Sequence, residues 1–220
     1  AVKPEDLHCP ISKLFCMENT CSGKAIDLRK LQTNRSEAKE LDLKVHLDGA
    51  RFFNAVEDLK CNPKDLAGCA DSVSICFSKG LGAPAGSILC FPKDMEQKVR
   101  RQRKILGGAL RQAGVLGAAC KYALENNIAR LKEDHERAQY LAKALRPFHK
   151  TGNGTELQSQ TNMVFFEPLE NSNKDLVSFL KERKIIISKP EPKTRLVMHL
   201  DISDEFLNIF IKAIEEFYST

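Results

Sequence analysis

The chain has no tryptophan, and aromatic residues make up only 7% of its 220 positions. Without interleaved aromatics there is no platform for stacking bases, so no nucleic-acid partner is expected. No run of about eighteen apolar residues occurs, so no membrane partner is expected either. The opening Ala1-Val-Lys-Pro-Glu-Asp6 lacks the basic-then-apolar order of a signal peptide. Eight cysteines are present, but none forms a Cys-x-x-Cys pair and no His/Cys spacing matches a zinc site. Reduced thiols in the cytoplasm and no metal are the expectation, with Cys16, Cys76 and Cys90 serving as small apolar side chains in strands. Two sequons, Asn34-Arg-Ser36 and Asn153-Gly-Thr155, read as chance matches. The net charge of +5 is mild and spread along the chain. Residues 98–104 form the one basic cluster, expected as a solvated or phosphate-facing side of a helix. No repeat or low-complexity tract is visible.

What is present is an alternation of short apolar runs with longer runs of helical period. Lys13–Glu18, Leu43–Asp48, Ser72–Phe77 and Ala85–Phe91 read as strands. Asp27–Leu41 and about Arg51–Asp58 read as helices between them, and strand-helix-strand order predicts a mostly parallel sheet covered by helices. Lys93–Arg103, Arg111–Asn126 and Ile128–Leu145 are predicted helices, the last two nearly joined at Asn126-Asn127. A Gly-rich stretch, Thr151–Thr155, follows Pro147. The remainder changes rhythm: strands at Asn162–Glu167, Lys184–Ser188 and Thr194–Leu200, helices at Lys174–Arg183 and Ser203–Tyr218. These predict two domains, 1–127 with the parallel sheet and 128–220 as a small α+β domain. Ser203 is a suitable N-cap, with Asp204 and Glu205 in the first turn.

Two groups carry the chemistry. Lys79 ends an apolar strand between Ser78 and Gly80 in Asp71-Ser-Val-Ser-Ile-Cys-Phe-Ser-Lys-Gly-Leu-Gly-Ala-Pro-Ala-Gly-Ser87. A lysine desolvated there is poised as an imine-forming amine. Asp48 ends an earlier strand in His46-Leu-Asp-Gly-Ala-Arg51, and the carboxyl ends of parallel strands are where open sheets bind ligands. A Schiff-base lysine with an acidic partner for a protonated ring nitrogen is what a pyridoxal-phosphate enzyme requires. Arg51, on the first turn of the next helix, can hold an oxyanion or carboxylate in two-point fashion.

Four segments, His46-Leu-Asp-Gly-Ala-Arg-Phe-Phe-Asn-Ala55, Ser78-Lys-Gly-Leu-Gly-Ala-Pro-Ala-Gly-Ser87, Gly107-Gly-Ala-Leu-Arg-Gln112 and Arg195-Leu-Val-Met-His-Leu-Asp201, together resemble the low-specificity L-threonine aldolases. That family belongs to the aspartate-aminotransferase-like (type I) pyridoxal-phosphate enzymes, and the similarity runs in order from about residue 5 to the C-terminus. The resemblance implies an α/β fold with part of a large cofactor-binding domain and a small C-terminal domain. It implies pyridoxal 5′-phosphate as cofactor, Lys79 as the imine lysine and Asp48 as the pyridinium partner. Arg51 matches an arginine near the cofactor oxygen and substrate carboxylate, and Arg195 one that grips the α-carboxylate. His8 matches a histidine near the substrate hydroxyl, and Glu18-Asn-Thr20 a strand-end motif beside the cofactor. Lys104 and Arg111 match basic residues that reach a neighbouring subunit's site, in keeping with a homo-oligomer, a tetramer or dimer.

The implied reaction is aldol cleavage of L-threonine or L-allo-threonine to glycine and acetaldehyde. The alternatives are an inactive remnant of such an enzyme and a β-eliminating lyase of the same lineage. The chain departs from the family pattern at Ala109 for a third glycine, Cys21 for a histidine, Ile11-Ser12 for Arg-Thr, and Met198 for a threonine. The family's Gly-Thr phosphate loop and ring-stacking histidine have no match, so a fragment, a truncated splice form or a degenerate copy is expected.

Overall fold

The computed structural model describes residues 2–3, 6–150, 157–170 and 175–219. Two compact units divide the chain, Ala1–Ile128 and Ala129–Thr220. The second sequon and the Gly-rich stretch after Pro147 fall wholly or mostly outside the described residues, as does Lys174 at the start of a predicted helix.

The first unit runs β1 (Leu14–Glu18), α1 (Leu28–Glu40), β2 (Lys44–Gly49), α2 (Phe52–Leu59), α3 (Pro63–Ala67), β3 (Ser72–Cys76), β4 (Ser87–Cys90), α4 (Glu96–Ile105) and α5 (Gly114–Asn126). Its sheet has the order β1-β2-β3-β4, with β1-β2 and β2-β3 parallel and β4 antiparallel to β3. Strand periodicity decides what each face holds. Val45, Leu47 and Val73 are buried in one core with Leu31, Phe52 and Leu66 from the helices. The intervening His46 and Asp48 therefore lie on the opposite face. Asp27 caps α1, its carboxylate accepting from the Arg29 amide at 2.9 Å. The five-residue α3 was not expected from the sequence. It is too short for periodicity to register, although Pro63 at its start and Asn62 accepting from the Lys64 amide mark it locally.

The second unit runs α6 (Leu131–Leu145), β5 (Ser159–Gln160), β6 (Met163–Phe166), α7 (Leu176–Glu182), β7 (Thr194–Val197) and α8 (Asp204–Ser219). Its three strands are antiparallel in the order β5-β6-β7. Leu141, Leu145, Val164, Phe166, Ile214 and Phe217 anchor its core. Ser203 caps α8, accepting from the Phe206 amide at 3.2 Å. Near the end of α8, burial pushes the Tyr218 phenol up to about 12, and its hydroxyl donates to the Leu169 carbonyl at 2.7 Å.

One strand expectation fails here: residues 184–188 form no ladder, and β5 supplies the third strand instead. Lys184 takes a left-handed φ of 60°, and the Ile185 amide donates back to the Leu180 carbonyl at 2.9 Å, closing α7. Ile185 and Ile187 still pack on the core while Ile186 is 86% exposed. The alternation in the sequence thus reports side-chain burial without strand pairing. Similarly, α5 begins at Gly114 rather than Arg111, because Gln112 sits at φ 51° and breaks the helix.

At the start of α6, Asp134 is fully buried and accepts from the Arg130 guanidinium at 2.5 and 3.3 Å. Asp134→Ala leaves the Arg130 guanidinium, 12% exposed, without its partner and should cost about 3–5 kcal/mol in urea unfolding. A loss within the ~1 kcal/mol typical of surface pairs would show that the pair does not hold α6.

Candidate active site

The carboxyl ends of β2 and β3 bring the predicted groups to one rim of the sheet. In the parallel register Glu18 stands beside Asp48, and Asp48 beside Ser74. Asp48 is exposed, on the face opposite the core. Its Oδ1 accepts from the Ala50 amide at 3.0 Å, fixing the carboxylate at the strand end. Its backbone carbonyl accepts from the Asn19 amide at 3.0 Å, tying the loop after β1 to the same spot. Gly49 is required by close approach: a Cβ there would meet the Ser74 carbonyl oxygen at 2.7 Å. Arg51 is half-buried as the N-cap residue of α2, on the turn that follows Asp48.

Lys79 lies three residues beyond β3, in a loop tied by backbone bonds. The Phe77 amide donates to Gly86, the Ala83 amide to Phe77, and the Gly82 amide to the Lys79 carbonyl, at 3.0, 3.0 and 2.8 Å. Phe77, Leu81 and Ala83 are buried under it. Lys79 itself is exposed and, among the described residues, its amine has no hydrogen bond or ion pair. The burial expected from its apolar flanks is therefore not provided by the described residues of this unit. Lys79 nevertheless acts on its surroundings. Burial pushes the Cys76 thiol up, but hydrogen bonding with Ser78, the Lys79 charge and Ser87 outweigh it and hold the thiol below its ordinary value.

Other predicted residues are not gathered at this rim. His8 precedes the amino end of β1 and is exposed, with Nδ1 3.0 Å from the Asp6 carboxylate. Lys104 is on the last turn of α4 and Arg111 in the turn before α5, both exposed. Arg195 belongs to the other unit. It stands opposite Phe165 in the β6-β7 ladder and lines a cavity of about 530 Å³ with Lys184, Ile186 and Phe206. Among the described residues no group of three or more His, Cys, Asp or Glu is placed to hold a metal ion. No described helix is long and apolar enough to cross a membrane.

Two residues of the rim were quoted within motifs of the sequence but given no role of their own there. Asn19 is fully buried, its side chain accepting from the Ile26 amide at 3.0 Å and donating to the Ile26 carbonyl at 3.2 Å. His46 shares the face of Asp48, with Nδ1 2.8 Å from the Ser72 hydroxyl. An amide directly after a strand-end acid was the available signal for Asn19. For His46 the signal was its place two residues before Asp48.

The Cys76 environment can be checked without any ligand. Lys79→Met removes one of the groups that favour the thiolate. Iodoacetamide should then alkylate Cys76 more slowly at neutral pH, with its rate-pH curve moved to higher pH, as read by peptide mass spectrometry. An unmoved curve would mean that the amine does not reach the thiol.

Comparison with known proteins bears on the family and the fold. The beta-eliminating lyase family matches residues 1–168. The chain is 41% identical to a low-specificity L-threonine aldolase of Escherichia coli K12 over 206 residues, which cover 94% of this chain and 60% of that protein. It is 36% identical to a probable low-specificity L-threonine aldolase of Arabidopsis thaliana, covering 97% and 62%. The chain thus spans less than two thirds of the length of these curated relatives. Among solved structures, a threonine aldolase of Leishmania major superposes with a TM-score of 0.76 at 19% identity, over 97% of this chain and 63% of that one. A putative L-allo-threonine aldolase of Listeria monocytogenes gives 0.74 at 21%, over 96% and 63%. The fold is theirs, and with the family match running through three quarters of its length, the chain belongs to the beta-eliminating lyase family.

Proposed function

We propose that this chain carries the lysine-and-aspartate part of a pyridoxal-phosphate site for aldol cleavage of L-threonine or L-allo-threonine. The supporting observation is the shared rim: Asp48 at the end of β2, and the Lys79 loop leaving β3, its register neighbour. The donor set fits the ring end of the cofactor. One Asp48 oxygen is engaged by the Ala50 amide, leaving the other for a ring N–H, and the Lys79 amine has no competing partner among the described residues. Pyridoxal phosphate, when bound, supplies an electron-accepting ring for the pair released when Cα–Cβ breaks.

The chain's own residues have separable tasks. Lys79 would hold the cofactor through its amine. Asp48 keeps the proton on the ring nitrogen, and Glu18 adds negative charge beside it. Arg51 is proposed to hold the α-carboxylate, so that Cα–Cβ rather than Cα–H is set for cleavage; in the second unit, Arg195 keeps the carboxylate-gripping role that the resemblance implies. The β-hydroxyl gives up its proton as acetaldehyde leaves and Cα takes one up to give glycine; the resemblance names His8 as the acceptor, but His8 lies exposed before the amino end of β1 and not at this rim. Residues 1–127 would be the C-terminal part of the cofactor-binding domain and 128–220 the small domain.

The reading includes a homo-oligomer in the cytoplasm. Leu106, Leu110 and Val115 are strongly exposed between Lys104 and the body of α5, an apolar strip that a second copy would cover.

Mixing the chain with pyridoxal phosphate and reducing with borohydride should place a pyridoxyl group on the peptide containing Lys79. Asp48→Asn should weaken cofactor affinity about tenfold or more, the loss of a charge-assisted hydrogen bond. Label spread over surface lysines, with none on Lys79, would overturn the proposal.

A further inference from the structure

The thirteen-residue α5 has one buried side chain, Ala123, at 1% exposure. Its remaining attachments lie on the same stripe, one turn to either side. Cys120 Sγ donates to the Ala85 carbonyl at 3.7 Å, and the Asn127 side-chain amide donates to the Leu81 carbonyl at 2.8 Å. Positions 120, 123 and 127 have i, i+3, i+7 spacing, so one face of the helix is committed to residues 81–86. The fit is tight. Gly86 sits at φ +124°, and a Cβ there would approach Cys120 Sγ to 3.0 Å. Exposed Val115 and Tyr122 show that the rest of the helix contributes little burial.

We infer that α5 is a clamp for the lysine loop, and that Asn127 is a positioning residue for Lys79. Asn127 closes α5, its own amide donating to Ala123 at 2.9 Å, so its side chain leaves from a fixed end. Leu81 is two residues from Lys79 and lies inside the turn closed by the Gly82 amide on the Lys79 carbonyl. Holding the Leu81 carbonyl restricts the rotation of that turn and hence the direction in which the lysine stem leaves the sheet. An exposed lysine side chain samples many rotamers, and fixing its backbone is the part of the entropy cost the fold can meet in advance. Asn127 acts on Lys79 through the loop.

The inference rests on the Lys79 reading given above, and two measurements separate the two. The variants are Asn127→Asp, which keeps the shape but not the donor, and Cys120→Ala, which loosens the same contact from the other side. In the chain without cofactor, amide exchange at Gly82 and Ala83 should accelerate in Asn127→Asp by about fivefold, the equivalent of one hydrogen bond, with the α2 amide of Ala55 unchanged. With pyridoxal phosphate and borohydride, the rate of label appearing on Lys79 should fall by a similar factor. Cys120→Ala should move both readouts the same way and by less. Faster exchange with no label on Lys79 even in the unsubstituted chain would keep the clamp and sink the cofactor reading. Unchanged exchange in both variants, or faster exchange with an unchanged labelling rate, would overturn the assignment of Asn127.

Discussion

The site depends on the parallel register of β2 between its neighbours. That register sets Asp48 beside Glu18 on one side and Ser74 on the other, and directs β3 toward the Lys79 loop. It is held by close backbone contact, since Gly49 leaves no room for a Cβ against the Ser74 carbonyl. It is also held by burial on the other face, where Val45, Leu47 and Val73 meet the helices. A shift of one residue would turn Asp48 into that core and bring Leu47 out, which makes the register costly to break.

The same alternation explains why chemistry can gather on the opposite face. His46, Asp48, Ser72 and Ser74 share it, and polar side chains there are not forced into an apolar core. The acid is fixed at the strand end by local hydrogen bonds, and the lysine loop is fixed by its own turn and by α5. Both groups are therefore presented by short, tied segments rather than by long loops. The second unit offers a different element, Arg195 on β7 beside a largely apolar cavity.

Much of this was legible in the sequence where side-chain pattern and backbone role coincide. Val45 and Leu47 alternate with His46 and Asp48, so both the strand and its polar face could be read. The Ser78-Lys79-Gly80 turn was legible because glycines punctuate it. Residues 184–188 misled because Ile185 and Ile187 do face a core, yet the left-handed Lys184 and the closure onto Leu180 remove the strand. Two-residue β5 and five-residue α3 are shorter than any period can register. The desolvation expected for Lys79 depended on a covering element, which flanking apolar residues do not specify. The Asn127 clamp was hidden because its partner is a backbone carbonyl 46 residues away, and no residue type signals a carbonyl.

The central claim is geometric: one flat ring is to be shared by the amine at 79 and the carboxylate at 48. The most direct measurement is a crystal structure of the chain after reduction with pyridoxal phosphate. The account predicts continuous density from Lys79 Nζ to the ring, with the ring nitrogen hydrogen-bonded to Asp48 on the face that carries His46. A ring attached to Lys79 but turned to the helix-covered side, or with its nitrogen facing solvent away from Asp48, would contradict it.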